Sequence, residues 1–149
     1  MRSAAVFAIG LLAVMPAYAS DYDDVINTLN RYEQAYAKGD LAAWTDLCAG
    51  NAVIIDNYPP HVWQGTSACA DWWKAQAALN AQHGNTNTAF SHREPVLVGG
   101  DGNYAYVMML EKFSYTEAGV PGAFNGLWTV TLQKTSAGWR ITSWTWSDR

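Results

Sequence analysis

Hydrophobic side chains recur every three or four positions through Tyr22, Val25, Ile26, Leu29, Tyr32 and Tyr36, the spacing that puts them on one face of an α-helix. Ser20, followed by Asp21 and Asp23, supplies an N-cap with acidic residues in the first turn. Gly39 is the natural stop, and Asp40 directly caps a second short helix over Leu41–Cys48, in which Leu41, Trp44, Leu47 and Cys48 share a face. The run Ala52-Val53-Ile54-Ile55-Asp56 reads as a short apolar strand broken by Asn57-Tyr58-Pro59-Pro60, with His61 to Gln64 positioned to return beside it. Gly65 then releases the chain into a third helix, about Ser67 to Gln82, ended by His83-Gly84-Asn85.

From Asn87 the pattern turns to β. Four strands are predicted, Ala89–Val98, Tyr104–Thr116, Ala123–Lys134 and Trp139–Ser147, joined by short Gly- and Asn-containing turns into an antiparallel meander. Helices followed by a meander predict an α+β fold, with residues 20–149 forming one domain. Along the second of these strands Tyr104, Tyr106, Met108 and Leu110 fall on one face and Ala105, Val107, Met109 and Phe113 on the other, so both faces call for cover. The helices can cover one. A second copy of the protein would cover the other, with Trp144 and Trp146 suited to that contact, unless the sheet curls enough to bury both sides itself.

Composition narrows the partners. Half of the 149 residues are hydrophobic, 15% are charged and eight are Trp, which excludes a disordered chain. The formal net charge is −4 with no basic run, which argues against nucleic acid. Arg2, the apolar stretch Ala4–Met15 and the small-x-small triplet Ala17-Tyr18-Ala19 form a secretory signal over residues 1–19, too short to remain as a membrane span. An exported, periplasmic or secreted domain with no further membrane contact is expected. Export in turn makes a disulfide between Cys48 and Cys69, the only two cysteines, plausible where a reducing compartment would leave two buried thiols.

Arg31-Tyr32, Ala37-Lys38-Gly39-Asp40, Ala52-Val53-Ile54-Ile55-Asp56 and the closing Gly138-Trp139-Arg140-Ile141, in this order of elements, resemble the nuclear transport factor 2-like superfamily over essentially the whole chain after the leader. Its members include ketosteroid isomerases, SnoaL-like polyketide cyclases, scytalone dehydratase and limonene epoxide hydrolase. The resemblance implies a cystatin-like cone, a curved antiparallel sheet wrapped around helices with a pocket at its open end. In the isomerases a Tyr eight residues before the hinge Asp donates to the substrate oxyanion, and an Asp sixteen residues after the hinge shuttles the proton. Those positions here are Tyr32 and Asp56. The protonated Asp that completes the isomerase oxyanion hole has as its counterpart Trp128, whose indole N–H is a single neutral donor.

A base near carbon and a donor near oxygen are what proton abstraction beside a carbonyl requires. Each candidate also has a structural role open to it: Tyr32 as a core tyrosine, Asp56 as a turn cap, and His61 as an exposed loop residue rather than a proton relay. Trp63 and Trp128 are candidates to line the pocket. Glu111 points either into the cavity or to an ion pair on the outer face. His92-Arg93-Glu94 matches no ligand spacing, and Gly99-Gly100-Asp101-Gly102 joins two strands, so no metal and no cofactor are expected. The expectation is a pocket for a small apolar or aromatic molecule in a homodimer. That pocket either performs isomerase-, dehydratase- or cyclase-like acid–base chemistry or serves a non-catalytic binding or dimerisation module.

Overall fold

The computed structural model describes residues 15–149; the expected leader, residues 1–19, lies largely outside them. Helix α1 (Met15–Lys38) runs without a break across the expected cleavage point after Ala19. Val25, Leu29, Tyr32 and Tyr36 are buried, while Tyr22 remains exposed. Gly39 ends the helix at φ +71°, and the N–H groups of Gly39 and Asp40 donate to the carbonyls of Tyr36 and Ala35 at 2.9 Å each. This left-handed cap satisfies carbonyls that the helix leaves open. Asp40 then accepts from the Ala43 N–H at 3.0 Å and opens α2 (Leu41–Asp46).

Helix α2 stops two residues short of the expected Cys48. The reason is long-range: the Leu47 carbonyl accepts from the Ile141 N–H at 2.8 Å, and Cys48 already pairs with Ile141. The strand that follows, β1 (Cys48–Ile55), is correspondingly longer than the expected run from Ala52. β2 (Val62–Gln64) returns antiparallel to it, and α3 (Ala68–His83) ends on Gly84 at φ +69°. The first meander strand, expected as one piece, is two: β3 (Asn85–His92) and β4 (Leu97–Gly100). Pro95, which has no N–H to donate, sits in the gap. Both pieces pair with β5 (Tyr104–Glu117), β4 beside its first half and β3 beside its second. β6 (Val120–Thr135) and β7 (Gly138–Asp148) complete the meander.

The sheet runs β2-β1-β7-β6-β5-β3, antiparallel except for β1 beside β7, and is curved and unclosed. Register shifts at Thr86/Ala89 and Thr131/Leu132 add the local bends that curvature needs. The inward row of β5 is Ala105, Val107, Met109, Glu111 and Phe113, all buried, whereas Tyr104 and Tyr106 on the outer face stay exposed. Cys48 at the start of β1 and Cys69 in the first turn of α3 form a disulfide, with Cα atoms 6.6 Å apart. No helix among the described residues is long and apolar enough to cross a membrane.

Candidate active site

Between α1, α3 and the concave face of the sheet lies a cavity of about 570 Å³ of atom-free space, mouth included. Its walls are mainly aromatic, with Tyr32, Trp44, Trp72, Trp128 and Trp144 among them, and three carboxylates, Asp56, Glu33 and Glu111, reach it.

Asp56 is the first residue beyond β1, where the chain leaves the interior. Its Oδ2 accepts from the Trp72 indole N–H at 2.8 Å and its Oδ1 from the Asn57 N–H at 2.7 Å. Only 8% of the residue is exposed. Burial raises its pKa above the ordinary carboxylate value, outweighing those two hydrogen bonds, which act the other way. The following loop is pinned by Asp148 at the end of β7, which accepts from Asn57 Nδ2 at 2.5 Å and from Trp146 Nε1 at 2.7 Å.

Tyr32 is almost wholly buried, with its ring centroid 3.4 Å from that of Trp44 and 5.9 Å from that of Trp128. Its hydroxyl oxygen accepts from Trp144 Nε1 at 2.9 Å. Burial drives the phenol pKa well up, so the hydroxyl keeps its proton. An oxygen that already accepts from an indole can turn its own O–H toward a ligand.

Glu111 points inward rather than to an outer-face ion pair. It pairs across β5 and β6 with Gly126, and a side chain at that glycine would run into the Trp146 ring, with Cζ2 only 2.2 Å from a Cβ placed there. The glycine therefore lets the indole lie against β6 beside Glu111. Burial, reinforced by nearby Glu33, holds the Glu111 pKa well above the usual range. Glu33 Oε1 in turn lies 2.5 Å from His92 Nδ1, a contact that raises the imidazole pKa against the effect of its own burial.

Of the residues singled out from sequence, Asp56, Tyr32, Trp128 and Glu111 line one cavity. His61 and Trp63 do not. His61 is exposed at φ +67°, turned outward in the loop, with Nδ1 3.2 Å from the Asp56 carbonyl oxygen. Trp63 is buried against Tyr58, ring centroids 5.3 Å apart, and so backs a residue that does line the cavity. Trp144 and Trp146, expected at an outer-face contact, are instead buried and line this cavity, and sequence reasoning missed Trp72, Tyr58 and the Glu33–His92 pair. Glu33, a polar residue flanking the buried stripe next to Tyr32, was the one local signal available. Among the described residues no group of three or more His, Cys, Asp or Glu is arranged to hold a metal ion.

The SnoaL-like domain family matches residues 25–147. Among curated proteins no sequence match is found. Solved structures give many. A nuclear transport factor 2-like protein with a cystatin-like fold from Novosphingobium aromaticivorans superposes with a TM-score of 0.75 at 19% identity, covering 93% of this chain and 92% of that one. A proposed dehydratase of the same superfamily from Streptomyces avermitilis gives 0.73 at 17%, covering 88% and 98%. A proposed scytalone dehydratase from Novosphingobium aromaticivorans gives 0.76 at 10%, covering 89% and 87%. At such identities the structural likeness is one of fold, and the family match, which spans most of the chain, is the finding that assigns it. The chain belongs to the SnoaL-like domain family of the nuclear transport factor 2-like superfamily.

Proposed function

We propose that the cavity carries out general acid–base chemistry on a small apolar or aromatic carbonyl compound, in the manner of an isomerase, dehydratase or cyclase. The observation that carries this is the Asp56 carboxylate, buried in an aromatic cavity and held by Trp72, with the Tyr32 phenol in the same walls. Asp56 takes a proton from the carbon beside the carbonyl. The charge that develops on oxygen is met by the Tyr32 O–H, which is polarised by the Trp144 N–H behind it. A carboxylate of raised pKa is a stronger base than an exposed one, and desolvation prevents water from competing for it. The dehydratase descriptions attached to two structural neighbours fit the same chemistry.

The test is hydrogen–deuterium exchange at the methylene of phenylacetone in deuterated buffer. Exchange that depends on the protein and falls about a hundredfold or more in Asp56→Asn is expected. Binding of the ketone with no exchange would support a purely ligand-binding module instead.

Export belongs to the same proposal, supported by the Arg2 and Ala4–Met15 leader pattern and by a disulfide of the kind that persists in oxidising compartments. So does a homodimer through the outer sheet face, where Tyr104 and Tyr106 are exposed beside half-buried Met108 and Leu110. Sedimentation at micromolar concentration should show twice the chain mass. A monomer alone would remove the dimer from the proposal.

A further inference from the structure

The chemistry of Asp56 and Tyr32 leaves a second ionisable group on the far wall of the cavity unused. Asp56 stands at the end of β1 and Glu111 on β5, three strands away in the order β1-β7-β6-β5. That is about 14 Å along a flat sheet at ~4.8 Å per strand, and less across a curved one. Glu111 is the single ionisable member of an otherwise apolar inward row, and it is 4% exposed. Beside it Glu33 reaches in from α1, and Glu33 Oε1 meets His92 Nδ1 at 2.5 Å. His92 lies directly opposite Glu111 in the β3–β5 register, on the edge strand of the sheet. Glu33 and Glu111 line the cavity and His92 does not. The three side chains therefore cluster where α1 packs on the β3–β5 edge of the sheet, with the two carboxyl groups on the cavity side.

Two carboxyl groups side by side and away from water do not both ionise, so the pair keeps one proton. Glu33 has the His92 imidazole against it at 2.5 Å, so the shared proton is the one on Glu111. The geometry points to a second proton-transfer centre: Glu111 is the acid of the cavity, and Glu33 and His92 are the positioning pair that holds and renews its proton. This rests on the acid–base role of Asp56 and names its substrate class, β-hydroxy ketones bearing an apolar or aromatic group.

The step balances without an outside reagent. Asp56 takes the proton between the carbonyl and the hydroxyl-bearing carbon. The C–H electron pair becomes the new C=C bond, the C–O bond breaks, and Glu111 gives its proton to the departing hydroxide. The products are an enone and water. Asp56 then releases its proton to solvent, and the carboxyl pair regains one by way of His92. The directions of the shifts agree: burial and Glu33 raise Glu111, and Glu33 raises His92. The charged groups close enough to act on these two are Glu33 from α1, Asp56 from the end of β1 and Glu94 from the segment after β3.

Carbon-detected NMR of the side-chain carboxyls, with nitrogen spectra of the imidazoles, tests the resting state in the intact protein. At about pH 7 Glu111 should be a neutral acid and His92 an imidazolium, and Glu33→Gln should return both toward ordinary behaviour. A Glu111 carboxylate at that pH, or a His92 titration unmoved by Glu33→Gln, overturns the proposal. The aldol of benzaldehyde and acetone tests the chemistry, since its dehydration gives a conjugated enone visible in the near ultraviolet. Asp56→Asn should lower both exchange and dehydration, whereas Glu111→Gln should lower the ratio of dehydration to exchange about tenfold or more. An unchanged ratio removes Glu111 as the acid and leaves Asp56 as the base. Rates unaffected by Asp56→Asn would remove the base instead.

Discussion

The indole N–H of Trp72 donates to Oδ2 of Asp56 at 2.8 Å, joining α3 to the end of β1 inside the aromatic cavity. The bond opposes the dominant effect on that carboxylate: burial raises its pKa, and the indole stabilises the ionised form. Trp72→Phe keeps one aromatic ring, deletes the donor and vacates the space of the pyrrole ring. Asp56 should then titrate higher still, and the fold should lose about 1–3 kcal/mol at neutral pH from the carboxylate left short of a partner, plus the cost of the space opened. Urea denaturation of both proteins measures the loss.

Stability should fall as the pH rises from mildly acidic to mildly alkaline. Asp56, Glu111 and His92 all have pKa values raised by the fold, so the native state binds more protons than the unfolded chain between the unfolded and the folded values. Stability is then full below the unfolded pKa, about 4 for the carboxyls and about 6.5 for the imidazole, and is lost as each folded pKa is passed. Asp71 and Asp101, lowered by hydrogen bonds, act in the opposite direction and only in acid below the ordinary carboxylate range. Thermal melts should therefore show a higher midpoint near about pH 5 than near about pH 8, and Glu111→Gln should flatten the profile.

The Cys48–Cys69 bridge closes a separation of 21 residues between β1 and α3. Replacing both cysteines by Ala should cost ~3 kcal/mol through the added freedom of the unfolded chain. Intact mass with and without reductant should differ by the two hydrogens of one disulfide, and denaturation of the double variant gives the cost.

What the sequence reveals here is what is local or periodic. The stripe through Val25, Leu29, Tyr32 and Tyr36 defines α1, and Gly39-Asp40 marks the hinge because a left-handed cap followed by an N-cap is written in adjacent residues. The resemblance to the ketosteroid isomerases, aligned on that hinge, points to Asp56 and Tyr32, which do reach one cavity. The parallel pairing of β1 with β7, which cuts α2 short, depends on residues nearly a hundred positions apart and leaves no local trace. The Glu33–His92 contact spans 59 residues and was equally hidden. His61 was misleading for a different reason. Alternation along a strand would aim it at the mouth of the cavity, but it sits in the turn before β2 at a positive φ that faces it outward. Gly126 is informative only once Trp146 is seen to lie over it.

The most direct measurement is the titration of the Asp56 carboxyl by carbon-detected NMR. The proposed base, desolvated among Trp72, Trp144 and Tyr58, should titrate above the ~3.9 of an exposed aspartate. A turn-capping carboxylate stabilised by hydrogen bonds from neighbouring N–H groups would titrate below it. A value on the low side would contradict the account of Asp56 as the base of the cavity.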